Sequence, residues 1–340
     1  MSKLVTEARP ADAASVTMPR VDVHAHYLPA DYRAAALAAG HVHPDGMPEL
    51  PAWSADKALA FMDRLNIRTA LLSVSSPGVH FGDDAEARKL ARSVNEQGAA
   101  LVRAHPERFG LFAALPLPDV DGSIREAAYA LDELAADGVA VETNHRGVYM
   151  GDAALDPLMA ELDRRRAVVF MHPTSPHCAG CLALALGQPR PIIEFMFEST
   201  RAIANMLYRR TLDRFPDLRL IVTHAGAAMP VLADRIADQA QVLDTGEPLT
   251  HEEIFGTLRR LHYDLAGSPL PRLAPALLSI ADPERLHYGS DWPFTPDETA
   301  IRLSKEIDET DLFNDDLRRR ILFENAWTLF PRLKGGAPAR

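Results

Sequence analysis

The sequence has little of what marks several protein classes. It contains two cysteines, Cys178 and Cys181, in 340 residues, so it implies no disulfide framework and fits a reducing compartment. No apolar run reaches the roughly 18–20 residues that a membrane span needs, and residues 1–18 lack the apolar centre of a signal peptide. The formal net charge of −11 argues against nucleic acid or an anionic membrane as a partner. We therefore expect a cytoplasmic protein that acts on a small molecule.

What the sequence does contain is a repeated alternation of apolar and amphipathic segments. Eight short apolar segments, most of them near-continuous, are typical of parallel strands that are covered on both faces. They are 21–26, 69–74, 109–116, 138–144, 167–173, 218–226, 261–267 and 286–293. Segments with helical spacing lie between them, and the first, 54–66, has Ser54 at the N-cap position. The alternation predicts an α/β fold of the (β/α)8 TIM-barrel type, with an open doubly wound sheet as the weaker alternative.

The predicted barrel forms one domain over residues 19–333. A segment rich in Pro, Gly and His, residues 28–53, follows strand one, and we interpret it as a lid-like insertion over the barrel mouth. We expect residues 1–18 to be a flexible leader and residues 334–340 to be a flexible tail.

The most informative segment is Val-Asp-Val-His-Ala-His at residues 21–26. Side chains alternate along a strand, so His24 and His26 point to the same side at its carboxyl end. Two neutral imidazoles that converge on one point provide half of a transition-metal site.

Three later strands also end in residues that can bind a metal. These are His172, His224 and Asp291. The carboxyl ends of barrel strands meet at the face where active sites of this fold lie. We therefore predict that His24, His26, His172 and Asp291 bind one divalent metal ion and leave one coordination position open to water or substrate. We expect Zn²⁺, with Mn²⁺ as the alternative. His224 would act nearby as an acid or base.

These motifs resemble those of the amidohydrolase superfamily. The matching motifs are HAH at 24–26, HPT at 172–174, HAG at 224–226 and SDWP at 290–293. The resemblance covers roughly residues 20–330 and is closer to the decarboxylase branch, which includes aminocarboxymuconate-semialdehyde, γ-resorcylate and 6-methylsalicylate decarboxylases. It implies a nonoxidative decarboxylase of a small aromatic or unsaturated carboxylic acid. The alternative is a metal-dependent hydrolase of an amide, ester or lactone on the same scaffold.

The resemblance also implies a dimer, and the sequence departs from the branch in one respect. In some members, an arginine after the strand-six histidine reaches into the neighbouring subunit's site. Arg235 lies at the matching spacing after His224. Those members carry arginines before a Met-Asp pair, and these arginines would bind the carboxylate of the substrate. This chain has Ala58 and Ala60 there, so Lys57 or Arg64 would have to take that role. No lysine ends strand four, which favours one metal ion over two.

In the predicted reaction, the ring carbon that bears the carboxyl group is protonated before CO₂ leaves. Asp291 could deliver the proton, or His224 could act as a base on water. The predicted substrate contacts are Phe195, Trp292, His177 and Arg235, with Phe197 and Phe294 as further wall candidates. Helix core is the alternative for Phe195, packing for Trp292 and surface exposure for His177.

Overall fold

The computed structural model describes residues 18–242 and 249–334. Within these ranges the main sheet has eight parallel strands, and each strand pairs with the next along the chain. They are β1 (Arg20–His26), β2 (Ile67–Ser73), β3 (Phe109–Ala114), β4 (Gly138–Glu142), β5 (Val168–His172), β6 (Arg219–Val222), β7 (His262–Asp264) and β8 (Leu286–His287). All eight lie within or overlap the predicted apolar segments, so the barrel prediction is confirmed.

The chain after β8 returns along β1 and brings the last strand beside the first. The backbone N–H of Val23 donates to the carbonyl of Tyr288 at 3.0 Å, and that of His26 donates to the carbonyl of Trp292 at 2.8 Å. Ala25 forms a parallel bridge with Trp292. These bonds place the segment that carries Asp291 directly beside the two histidines of β1.

Helices alternate with the strands and surround the sheet. They are α1 (Ala30–Ala38), α2 (Ala55–Arg64), α3 (Asp84–Ala104), α4 (Val120–Asp132), α5 (Asp156–Arg164), α6 (Ala179–Ala183), α7 (Glu194–Tyr208), α8 (Thr211–Arg214), α9 (Met229–Ala240), α10 (His251–Arg260), α11 (Leu273–Leu278), α12 (Asp297–Glu309), α13 (Asp315–Arg319) and α14 (Asn325–Leu329). The Ser54 side chain accepts a hydrogen bond from the N–H of Lys57, as its predicted capping role requires. None of the described helices is long and apolar enough to cross a membrane.

The insertion after β1 is partly ordered into helix. It contains α1 and a short 3₁₀ turn, Pro44–Gly46. The turn packs against a second one, Arg190–Ile192, so the insertion reaches the segment between β5 and α7. The predicted leader and tail lie almost entirely outside the described residues.

Aromatic side chains fill the barrel beneath its mouth. Phe112 and Phe170 stack with ring centroids 5.1 Å apart, and both are fully buried. The ring of His24 lies edge-on to Phe170, with centroids 5.0 Å apart. The first strand's histidines therefore rest on a packed apolar layer, which excludes water from below and limits their movement.

Cys178 and Cys181 form a disulfide at the start of α6. This is a single short-range bridge between residues three apart in the sequence. The bridge does, however, remove cysteine usage as an argument for a reducing compartment.

Candidate active site

The four predicted metal ligands converge at the carboxyl ends of the strands. The Nε2 atoms of His24 and His26 are 3.1 Å apart, and His26 Nε2 is 3.1 Å from Asp291 Oδ1. One ligand atom from each of His24, His26, His172 and Asp291 lies within 4.8 Å of the others. Strand alternation explains the first pair, and the return of the chain along β1 explains the position of Asp291.

Each of the three imidazoles has its Nδ1 atom beside a hydrogen-bond acceptor. The pairs are His24 with Asp264 Oδ2 at 2.9 Å, His26 with Ser73 Oγ at 2.9 Å, and His172 with the Pro173 carbonyl at 2.7 Å. An imidazole that donates through Nδ1 presents a lone pair at Nε2. When the rings are neutral, the three Nε2 atoms and the Asp291 carboxylate face one another as acceptors.

Such a cluster fits a divalent cation. Four converging acceptors repel one another unless a positive charge lies between them, and three imidazole nitrogens with one carboxylate oxygen form a donor set that suits Zn²⁺. Burial, together with the neighbouring histidines, lowers the pKa of His26 and of His172, so both rings are neutral, as metal ligands must be. Burial alone would lower the pKa of His24, but the carboxylates of Asp264 and Asp291 raise it to about 10. A metal ion must therefore displace a proton from His24.

Asp264, at the end of β7, is a site residue that the sequence analysis missed. Its Oδ2 accepts from His24, while its Oδ1 accepts from the backbone N–H groups of His224 at 3.1 Å and of Ala266 at 2.9 Å. One carboxylate thus orients a metal ligand and also fixes the backbone of the predicted acid or base. The signal for this residue in the sequence was an acidic side chain in the middle of the apolar segment 261–267.

Asp264→Asn tests this double role. The amide keeps the size of the carboxylate but removes the charge that fixes the tautomer of His24. We expect metal affinity to fall about 10–100-fold, the usual effect of removing a hydrogen-bond partner of a metal ligand. Competition with a chromophoric chelator measures the affinity, and an unchanged value would show that Asp264 does not support the site.

Asp22 supports the site through hydrogen bonds from the backbone. Its buried Oδ1 accepts from the N–H groups of His24 and of Ser290, both at 3.0 Å. The carboxylate joins β1 to the loop after β8, the two segments that supply three of the four ligands.

Two functional positions have left-handed backbone conformations. The φ angle is 56° at His224 and 58° at Asp291, a conformation that costs non-glycine residues energy and is concentrated at functional sites. Hydrogen bonds compensate, because the N–H of Asp291 donates to the carbonyl of His24 at 2.8 Å and that of His224 donates to Asp264. The strained residues are thereby fixed to the first strand and to the seventh.

Asp291 and His224 lie side by side at the mouth. The two oxygens of Asp291 face different neighbours: Oδ1 points to the β1 histidines, whereas Oδ2 accepts from the Thr295 hydroxyl at 3.2 Å and is 3.9 Å from His224 Nε2. Burial alone would raise the pKa of Asp291, but the adjacent imidazoles of His224, His24 and His26 hold it well below its usual range. Asp291 is therefore ionised, with one oxygen directed away from the β1 pair.

A cavity of about 370 Å³ opens directly above these groups. His172, His224 and Asp291 form part of its lining, and much of its wall is apolar. The apolar wall residues include Ile192, Phe195, Met196, Leu273 and Phe294. Among the described residues that line the cavity, none is Lys or Arg.

The prediction that Lys57 or Arg64 binds the substrate carboxylate therefore has no support in this geometry. Neither Lys57 nor Arg64 lines the cavity, and Arg64 forms ion pairs with Asp297 and Glu298 at the surface. Among the described residues that line the cavity, a substrate carboxylate therefore meets no lysine or arginine.

The predicted substrate contacts are divided between the cavity and other places. Phe195 lines the cavity, as does Phe294. Trp292 is outside the lining, because its ring stacks on Phe61 at 5.1 Å and its Nε1 donates to Asp297 at 2.9 Å. The alternative given for Trp292, packing, is what this geometry shows.

The other two predicted contacts are further from the metal ligands. His177 is exposed and lines a neighbouring cavity of about 450 Å³. Arg235 is exposed on α9 and lines neither cavity. Phe197, which had been a wall candidate, is 48% exposed.

The family of the chain follows from comparison with known proteins. A family model described as amidohydrolase matches residues 21–332. The chain belongs to the amidohydrolase family. The recognition made from the four motifs is thus confirmed over nearly the whole barrel.

Relatives of this amidohydrolase include enzymes named decarboxylases. The 6-methylsalicylic acid decarboxylase of Aspergillus aculeatus is 37% identical over 323 residues, which cover 93% of this chain and 97% of the relative. A solved structure described as amidohydrolase II is 35% identical with a TM-score of 0.86, covering 92% of this chain and 99% of that one. The prediction of a carbon–carbon lyase is confirmed at the level of enzyme class, and the hydrolase alternative gains no support.

A more distant structure shares the fold and contains a metal. The dihydroxybenzoic acid decarboxylase from Polaromonas sp. JS666, solved with manganese and the inhibitor 2-nitroresorcinol, has a TM-score of 0.80 at 22% identity. The match covers 92% of this amidohydrolase and 97% of that chain.

Proposed function

We propose that this amidohydrolase removes the carboxyl group, as CO₂, from a monocyclic aromatic acid that carries a hydroxyl group beside the carboxylate and an apolar second substituent. One observation carries the proposal. Four acceptor atoms are arranged for a divalent cation, and two of their residues, His172 and Asp291, line a largely apolar cavity that has no cationic side chain in its described lining. A ring-bearing acid fits those walls, and a further charged group on the ring would find no partner there.

The metal ion that we propose is Zn²⁺, because three imidazoles and one carboxylate suit it best, while Mn²⁺ is present in the Polaromonas relative. His24, His26, His172 and Asp291 would hold it. When bound, the ion would attract the carboxylate and the adjacent hydroxyl group of the acid, which orients the ring and neutralises its charge.

Asp291 and His224 are the groups that can move a proton at this site. Asp291 Oδ2 faces His224 rather than the β1 histidines, and both residues line the cavity. Asp291, which is ionised, first accepts a proton from the substrate hydroxyl or from water. The proton then passes to the carbon that bears the carboxyl group. The electron pair of the breaking carbon–carbon bond returns to the ring, and CO₂ leaves. His224 stabilises the charge that develops beside Asp291.

The apolar walls have a second role. Phe195 packs edge-on against His172, with centroids 6.0 Å apart, and Phe294 packs edge-on against His26 at 5.4 Å. These rings contact ligand side chains from the cavity side and exclude water from the reacting carbon, which strengthens the electrostatic interactions around it.

The activity is tested with a matched set of substrates. Metal-loaded enzyme is incubated with 6-methylsalicylate, 2,6-dihydroxybenzoate, an aryl ester and a lactone, and the release of CO₂ and of hydrolysis products is measured. We expect CO₂ from the aromatic acids, with the methyl-substituted acid preferred because much of the cavity wall is apolar. Hydrolysis of the ester or lactone without any CO₂ release would refute the proposal.

We further propose that the enzyme is a cytoplasmic homodimer that uses the face around α7 and α9. Ile193 at 53%, Phe197 at 48% and Val231 at 69% expose large apolar side chains there, and Arg235 lies on the same α9. Ile192, which lines the metal cavity, is also 60% exposed. A second subunit on this face would cover apolar surface beside the cavity mouth.

Arg235→Ala tests the shared site. If Arg235 reaches the partner's substrate, its loss should raise KM about tenfold, since a hydrogen bond to a charged group is lost, while kcat changes little. Arg302→Ala on α12 removes an equal charge from a different face and serves as the control. An unchanged KM, or a monomer by analytical ultracentrifugation, would contradict this role.

A further inference from the structure

A second functional surface lies at the opposite end of the barrel from the metal ligands. A cleft of about 490 Å³ opens at the amino ends of β6, β7 and β8. Four arginines line it: Arg166, Arg219, Arg260 and Arg285. Three carboxylates, Asp217, Asp282 and Glu284, also line the cleft, so its lining carries a small net positive charge in a chain whose formal net charge is −11.

The carboxylates at the cleft are engaged with other groups. Arg260 donates to Asp213 at 3.0 Å, Arg166 is 3.5 Å from Asp217, Arg320 donates to Glu284 at 2.7 Å, and Asp282 accepts from the backbone N–H of Glu284 at 3.0 Å. In the part of the chain that the structure describes, Arg219 and Arg285 have no ion-pair partner. Arg219 and Arg285 are therefore free to donate to a ligand, while Asp282, which accepts from a backbone N–H, is the carboxylate without a cationic partner among the described lining residues.

Arg285 is held in place for binding. Its Nη1 donates to His262 Nε2 at 3.0 Å, and the Nδ1 of that ring lies 2.9 Å from His287 Nε2. Because Arg285 can only donate, His262 accepts at Nε2 and donates onward from Nδ1. His262 is 7% exposed, so the guanidinium rests on a buried and fixed ring.

His262 does not add to the positive charge. Burial, followed by the charges of His287, Arg285 and Arg219, lowers the pKa of His262 to about 2. The ring is therefore neutral, and both arginines are close enough to act on it electrostatically.

The strand register explains this arrangement. Ile221 of β6 pairs with His262 of β7, and Arg219 lies two residues before Ile221, on the same side of the sheet. Leu286 pairs with Tyr263 and His287 pairs with Asp264, which places Arg285 beside His262. Three neighbouring strands thus bring an Arg-His-Arg row to one end of the barrel.

We propose that this cleft binds the phosphate group of a small phosphomonoester. Two guanidinium groups without an ion-pair partner can both donate to a dianion, and arginine can bind phosphate oxygens in pairs. The cleft is several times larger than a phosphate ion, and Leu212, Phe215 and Leu329 give it an apolar side for the organic part. The site is separate from the decarboxylation chemistry.

The proposal is tested by calorimetric titration of the metal-loaded protein. Inorganic phosphate, phenyl phosphate and benzoate are compared at constant ionic strength. We expect phenyl phosphate to bind more tightly than phosphate, and benzoate to bind this cleft weakly. Arg285→Gln, which can still donate to His262, should weaken phenyl phosphate binding about tenfold or more.

Three further variants make the result decisive. Arg219→Gln should weaken phenyl phosphate binding as Arg285→Gln does. If Arg285→Gln does not fold, Arg219→Gln replaces it in the test. Arg259→Gln, on the exposed face of α10 and outside the cleft lining, makes the same charge change and should bind as the wild type does. His224→Asn should retain this binding, because it alters only the opposite end of the barrel. Wild-type affinity for phenyl phosphate in both cleft variants, as binding at the metal ion would give, or no binding by the wild type at millimolar concentration, would overturn the proposal.

Discussion

His24→Ala should remove the bound metal ion and the turnover together. His24 Nε2 lies 3.1 Å from His26 Nε2 and 3.4 Å from Asp291 Oδ1, so its loss opens one side of the ligand set. It also leaves the buried carboxylate of Asp264 without its ring partner. We expect metal content near zero and a fall in kcat/KM on the order of 10³-fold or more, since metal stabilisation of developing charge contributes several kcal/mol.

The control for this variant is a histidine from the second His-X-His sequence of the chain, His41-Val42-His43. His43 is exposed, and its Nδ1 lies beside the carbonyl of Pro48. His43→Ala should therefore retain metal by elemental analysis and should release CO₂ at the wild-type rate. If His24→Ala kept its metal ion, or if His43→Ala lost it, the assignment of the ligands would be wrong.

His224→Asn should separate metal binding from catalysis. His224 is not one of the four clustered ligands, but its Nε2 is 3.9 Å from Asp291 Oδ2 and the residue lines the cavity. We expect metal content to stay at the wild-type level and kcat to fall about 10²–10⁴-fold, the range for loss of a general acid or base. Single-turnover release of CO₂ measures the chemical step directly, and a wild-type rate would exclude His224 from it.

His177→Asn provides the comparison at a second histidine. The sequence predicted a substrate contact for His177, but the residue lines the neighbouring cavity and not the one above the metal ligands. This geometry predicts an unchanged KM for 6-methylsalicylate. A raised KM would restore the sequence prediction and would extend the substrate site into the second cavity.

The fold and the grouping of the four candidate metal ligands could be predicted because both follow from local patterns. Apolar segments at regular intervals predict strands, and strand alternation places His24 and His26 on one side. The barrel then brings the carboxyl ends of β1, β5 and β8 to the same face. No long-range detail was needed to group four ligands from three positions in the chain.

The supporting residues could not be predicted in the same way. The role of Asp264 depends on a hydrogen bond to His24, 240 positions earlier in the sequence, and no spacing rule indicates such a pair. The direction of Trp292 depends on Phe61, which stacks against its ring. The cavity wall depends on how the segment between β5 and α7 meets the insertion, and neither segment has a regular pattern.

The most direct test measures metal content and CO₂ release on the same preparation before and after chelation. The account predicts one divalent ion per chain, loss of CO₂ release from 6-methylsalicylate when the ion is removed, and recovery when Zn²⁺ or Mn²⁺ is added back. Undiminished CO₂ release from protein shown to contain no metal would contradict it.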